Sequence, residues 1–79
     1  MARRAPKGFN DKSRERVIKA FVKNGLTQKS EVKEGTKLVD PHNPQRSTTV
    51  PKHPKVPGFL QYRMCQQAGK ERQHYLEIL

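Results

Sequence analysis

Apolar positions in this chain come in separated groups, and their spacing changes twice. Val17, Ile18, Phe21 and Val22 recur at helical intervals, while Lys12, Arg14, Glu15, Arg16, Lys19 and Lys23 fill the positions between and around them. That pattern predicts an amphipathic helix over 11–23, with Asn10, Asp11 and Ser13 as possible caps and Asn24-Gly25 as its stop. Beyond Gly25 the helical period is lost. Three short extended segments follow, at 26–32, 36–40 and 46–51; the first alternates poorly, and the third has the strand-favouring run Ser47-Thr48-Thr49-Val50. Lys33-Glu34-Gly35 and Pro41-His42-Asn43-Pro44 are the turn signals between them.

Three prolines keep the next stretch, Lys52-His53-Pro54-Lys55-Val56-Pro57, extended. A second helix is predicted over 58–68, with Leu60, Met64, Cys65 and Ala68 on one arc and Gly69 at the stop. The last ten residues, KERQHYLEIL, are amphipathic and predict a short third helix that packs on the domain or binds a partner helix. The order helix, three strands, helix implies an α+β domain: an antiparallel three-stranded sheet with both helices on one face. Its expected limits are 11–69, preceded by a flexible basic arm over 1–10 and followed by the tail over 70–79.

At 79 residues the chain has room for one small domain. Lys and Arg number 17 against 7 Asp and Glu, a net charge of +10. Such a field attracts polyanions, so nucleic acid is the first partner to consider; an acidic protein or an anionic membrane would feel it too. No apolar run approaches a membrane span, and the start lacks the apolar stretch of a signal peptide. The lone Cys65 cannot form an intrachain disulfide and reads as a packing residue. A cytoplasmic location is expected, with no membrane partner. His42, His53, His74 and Cys65 are too widely spaced for a metal site, and no Gly-rich phosphate loop is present, so neither a metal nor a small-molecule cofactor is expected.

The stretch Thr48-Thr49-Val50-Pro51-Lys52-His53, followed by Gly58, Leu60 and Gln67-Ala68-Gly69, resembles the HicA-type mRNA interferase toxins. The resemblance spans roughly residues 14–69. It implies a helix-strand-strand-strand-helix fold like that of the double-stranded-RNA-binding domain, metal-independent endoribonuclease activity, RNA as substrate and a HicB-like antitoxin as partner. The family's second strand usually opens Gly-Ser-His-His, with a catalytic His. Here the matching residues are Gly35-Thr36-Lys37-Leu38, so that His is replaced by Lys37. The second helix is also one residue longer before Gln67-Ala68-Gly69.

Cutting RNA without a metal needs a base for the 2′-hydroxyl and an acid for the leaving oxygen. Histidine titrates near neutral pH and suits both roles, whereas an unperturbed lysine is almost wholly charged there. His53 and His42 are therefore the catalytic candidates, although each also reads as an ordinary surface or turn residue. Lys37 reads as a phosphate contact, with Lys29, Lys33, Arg46, Lys52 and Lys55 as the other nucleic-acid-binding candidates. Three functions remain open: a HicA-like ribonuclease, a non-catalytic nucleic-acid-binding module, and a small phage-like regulatory or adaptor protein acting through its tail.

Overall fold

Ser13 opens the first helix. In the computed structural model, which describes residues 8–79, it sits in extended backbone and its hydroxyl accepts from the Arg16 amide at 3.3 Å. This N-cap satisfies one of the orphan donors of α1, Arg14–Lys23. The helix starts three residues later than its periodicity suggests. Lys12 and Ser13 form a short strand, β1, instead. Asp11, a candidate cap of α1, accepts from the Gly58 amide at 3.3 Å and so serves another helix. Val17, Ala20 and Phe21 form the buried stripe, whereas Val22 is exposed. The helix thus turns the 17–20–21 arc inward, and Val22 lies beyond its edge.

At Gly25, with φ at +101°, the chain reverses through a Schellman motif: the Gly25 amide donates to the Val22 carbonyl and Leu26 to Phe21, both at 3.1 Å. Gly69, φ +67°, ends the next long helix in the same way, with Lys70 donating to Cys65 at 2.8 Å.

Three antiparallel strands follow in the spatial order β2 (Thr27–Val32), β3 (Gly35–Asp40), β4 (Asn43–Pro51). Val32 pairs with Gly35, so Lys33-Glu34 is a two-residue hairpin loop. A Cβ on Gly35 would overlap the Val50 carbonyl, which explains glycine at this position. Asp40 pairs with Asn43 across Pro41-His42, and the register then slips before Val39 meets Ser47. The fourth strand therefore begins earlier than expected, with Pro44 in the irregular part of an edge strand, where a missing amide is tolerated.

The sheet has one buried face. Thr36 pairs with Val50 and Leu38 with Thr48, and all four are buried. The opposite face presents Lys37 between Ser30 and Thr49. α1 packs on all three strands and α2 (Gly58–Gln67) on β4. The fold is thus α+β, with a three-stranded antiparallel sheet and helices.

The proline-rich stretch adds an element that periodicity did not show. β5, Lys55–Val56, pairs with β1 in a separate two-stranded sheet, Lys12 opposite Val56 and Ser13 opposite Lys55. The core also reaches past both ends of the 11–69 span. Phe9, placed in the expected arm, is buried, and Tyr75 in α3 (Arg72–Ile78) is fully buried in the same cluster as Val17, Phe21, Leu38 and Val50. Phe9 and Tyr75 stack at 5.8 Å, and Phe21 meets Tyr75 at 4.7 Å. Burying one such side chain contributes roughly 1.5–3 kcal/mol, so α3 is a wall of the domain. The remainder of the expected arm, residues 1–7, lies outside the described residues.

Candidate nucleic-acid interface

Register decides which candidates can act together. His42 occupies the loop between Asp40 and Asn43, and His53 follows Pro51, the partner of Gly35. Those two pairs are five residues apart along β3, roughly 17 Å at about 3.4 Å per residue. The two histidines therefore sit at opposite ends of the hairpin, both exposed, and do not form an acid–base pair. The antiparallel register thus separates the two catalytic candidates.

The cationic candidates divide in the same way. Lys33, in the β2–β3 loop, lies at the Gly35–Pro51 end with Lys52 and Lys55. Lys12, which was not among the candidates, joins them through the pairing of β1 with β5. Lys29 is the bulged residue of β2, and Arg46 lies in the irregular part of β4 toward the other end. Lys37 stands between the two groups, exposed on the open sheet face. All six expected contacts are exposed, but they do not form one patch.

One residue organises the Gly35–Pro51 end, and charge counting alone did not single it out. Arg14, the first residue of α1, donates from its amide to the Pro54 carbonyl at 2.9 Å and from Nε to the Pro51 carbonyl at 3.0 Å. Its guanidinium also bonds the Thr36 hydroxyl and reaches Glu31 Oε1 at 3.4 Å. Thr36 in turn donates to the same Glu31 oxygen at 2.7 Å. The hydrogen bond from Thr36, with Arg14 and Lys52 nearby, holds the Glu31 carboxyl below its ordinary range. Arg14 thus ties β2, β3 and the end of β4 to the segment carrying Lys52 and His53. Its own charge is matched by Glu31, which leaves Lys33, Lys52 and Lys55 as the exposed cations of this end, with Lys12 half-buried beside them.

At the other end, Asp40 accepts from the His42 amide at 2.9 Å, and this bond, helped by Lys70, lowers its pKa. His42 is therefore a turn residue fixed by its backbone. Cys65 is buried, and burial pushes its thiol up to about 12, so at neutral pH it is an apolar packing group. His74 lies exposed in the first turn of α3, where its amide donates to the Glu71 cap at 3.0 Å. Among the described residues no group of three His, Cys, Asp or Glu is placed to hold a metal ion, and no helix is long and apolar enough to cross a membrane.

No family model, no curated protein and no solved structure matches this chain.

Proposed function

We propose that the protein binds RNA, on a frame related to the double-stranded-RNA-binding domain and resembling that of the HicA-type mRNA interferases. The observation that carries this reading is the gathering of Lys12, Lys33, Lys52 and Lys55 at the Gly35–Pro51 end of the sheet, anchored by Arg14. Strand ends fixed by backbone hydrogen bonds hold these ammonium groups on a rigid base. Phosphate contacts of this kind set orientation and affinity and carry little sequence information. An A-form duplex is recognised largely through its backbone and 2′-hydroxyls, which suits such a surface. A cytoplasmic location and a HicB-like antitoxin belong to the fuller, toxin form of the proposal.

The separation of His42 from His53 favours a second reading, binding without cleavage. A single histidine at the basic end would have to act with a water or a cation as its partner. Induction in bacteria distinguishes the two readings: a HicA-like ribonuclease arrests growth and shortens transcripts, and a binding module does neither. Electrophoretic retardation of a 16-base-pair RNA duplex tests the reading they share. Absence of any retardation at low salt would overturn it.

A further inference from the structure

Leu60, Arg63, Met64 and Gln67 fall at i, i+3, i+4 and i+7 on α2, one stripe facing β4. A stripe packed tightly on a sheet would be apolar throughout. Here two of the four side chains are polar, because α2 and the edge of β4 stand apart and enclose an open groove of about 540 Å³. Ser47 and Thr49 line its strand side, with Gln45 at the same edge. The volume lies within the ~300–1,000 Å³ range of small-ligand sites.

The groove has a definite chemistry. Its floor is the apolar pair Leu60 and Met64. The Arg63 guanidinium is exposed and has no acidic partner among the described residues. Gln67 accepts from the buried Thr48 hydroxyl at 2.9 Å through Oε1, which fixes the amide and leaves Nε2 free to donate. Arg46 lies against Gly69 at the end of α2 and puts a second cation at this edge. A guanidinium beside an apolar slot, with an oriented side-chain amide and the outer edge of β4, suits one nucleotide. Arg63 takes the phosphate, Leu60 and Met64 lie beneath the base, and the Gln67 amide with the strand edge at residues 47–49 meets the base edge and sugar. A peptide strand added to the β4 edge fits less well, because Pro44, Pro51 and the register slip interrupt that edge.

We infer that the groove between β4 and α2 binds a single unstacked nucleotide of an RNA strand whose phosphates lie on the basic end. This rests on the RNA reading above and adds a site for a base, which that surface lacks. Lys52 follows β4 directly, so a strand leaving the basic end meets the groove next. A base inside a duplex cannot enter it, whereas a loop or single strand can present one.

The test is titration of the isotopically labelled full chain with each of the four ribonucleoside 5′-monophosphates, followed by amide chemical shifts. A single-stranded RNA decamer and a 16-base-pair RNA duplex are measured in parallel. Saturable shifts of Ser47, Thr49, Arg63 and Gln67 with at least one monophosphate are expected. Arg63→Gln and, separately, Gln67→Glu, which keeps an acceptor for Thr48 and removes the amide donor, should weaken that binding, Arg63→Gln by about 10-fold, with a larger loss for the decamer than for the duplex. Decamer binding that Arg63→Gln and Gln67→Glu leave intact, with monophosphates shifting only residues near Lys52 and Lys55, would overturn the groove and leave the RNA reading standing. Groove shifts with monophosphates but no binding of either RNA would uphold the groove and overturn the RNA reading.

Discussion

The Tyr75 hydroxyl donates to Gln61 Oε1 at 2.8 Å, inside a core where both residues are fully buried. Gln61 spends its amide hydrogens on the carbonyls of Asn10, at 2.7 Å, and Val56, at 2.9 Å. One buried side chain thus links α2 to α3, to β5 and to the segment before β1. Burial raises the Tyr75 pKa, so the phenol stays a donor at physiological pH.

Removing that hydroxyl leaves the Gln61 carbonyl buried without a donor. Tyr75→Phe is expected to destabilise the fold by about 1–3 kcal/mol, with ring packing against Phe9 and Phe21 retained. Tyr75→Ala should cost more, about 3–5 kcal/mol. Urea unfolding followed by circular dichroism measures both. Equal stability of Tyr75→Phe and wild type would mean that Gln61 finds another donor.

Gly35→Ala is expected to be severe for a different reason. The new methyl would meet the Val50 carbonyl, a backbone atom in the middle of the sheet's hydrogen bonding, so the β3–β4 pairing must shift. A loss of at least about 1–3 kcal/mol follows. The Thr36–Val50 and Lys37–Thr49 pairs should lose amide-exchange protection before the helices do.

Stability should fall in acid partly through Glu31. Its carboxyl is held below its ordinary value of 4.5 by the Thr36 hydrogen bond and by Arg14. A depressed folded-state pKa stabilises above the unfolded value, and that contribution is lost as pH falls through the folded value. Glu31→Gln should therefore flatten the stability–pH curve below about pH 4.5 and leave the curve's shape near neutrality unchanged. Glu71, whose carboxylate accepts from the Gln73 and His74 amides, acts in the same direction, so the flattening is partial. An unchanged acid limb in Glu31→Gln would show that the Arg14–Glu31–Thr36 cluster does not titrate with folding.

RNA affinity should depend steeply on salt. Engaging four phosphates gives a slope of log affinity against log salt of about −3 on single strands, from roughly −0.7 per phosphate. Each of Lys33→Gln, Lys52→Gln and Lys55→Gln should reduce the slope by about 0.7, whereas Lys29→Gln, toward the other end of the sheet, should change it little. Fluorescence anisotropy at several salt concentrations checks this, and a flat response would assign the charge to another purpose.

Much of the fold was legible because period and punctuation agree. Helix-spaced Val17 and Phe21, the stops at Gly25 and Gly69, and the Lys33-Glu34-Gly35 turn each restrict the local backbone. What pattern alone did not show was long-range. Asp11 looks like a cap for the helix beside it but bonds Gly58, 47 residues away. Lys55–Val56 looks like proline-bound linker until Lys12–Ser13 pairs with it. Phe9 sits alone in polar sequence and Tyr75 in a short amphipathic tail, and their stacking depends on where the segments before β1 and after α2 return. The site shows the same division. Exposed cations were readable from composition, but their sorting to two ends of the sheet follows from register, and Arg14 is distinguished only by bonds to Pro51, Thr36 and Glu31. Arg63 had a signal that went unread: a cation among the sheet-facing positions of α2.

The last prediction concerns cleavage. His42 and His53 are both exposed, so neither is ruled out by burial, but only His53 shares an end of the sheet with Lys12, Lys33, Lys52 and Lys55. A reacting 2′-hydroxyl must lie within hydrogen-bond reach of its base while the neighbouring phosphates are held, and the RNA reading proposed above sends those phosphates to the basic end. Any RNA cleavage by this protein should therefore follow His53. His53→Ala should lower the rate by about 10²–10⁴-fold, the usual worth of a positioned acid–base group, while His42→Ala should leave it within about 2-fold, a change too small to assign to catalysis. Lys37→Met, on the open face between the two ends, should weaken binding and leave the pH profile of cleavage unchanged. Rates measured from pH 5 to pH 9 on a labelled single-stranded RNA, roughly the range over which a histidine changes charge, decide among these outcomes. Equal rates for wild type and both histidine variants would place the chemistry elsewhere, with Lys37→Met then the variant to examine. Intact RNA with wild type across the whole range, alongside salt-sensitive binding, would establish the protein as a binding module that does not cut RNA.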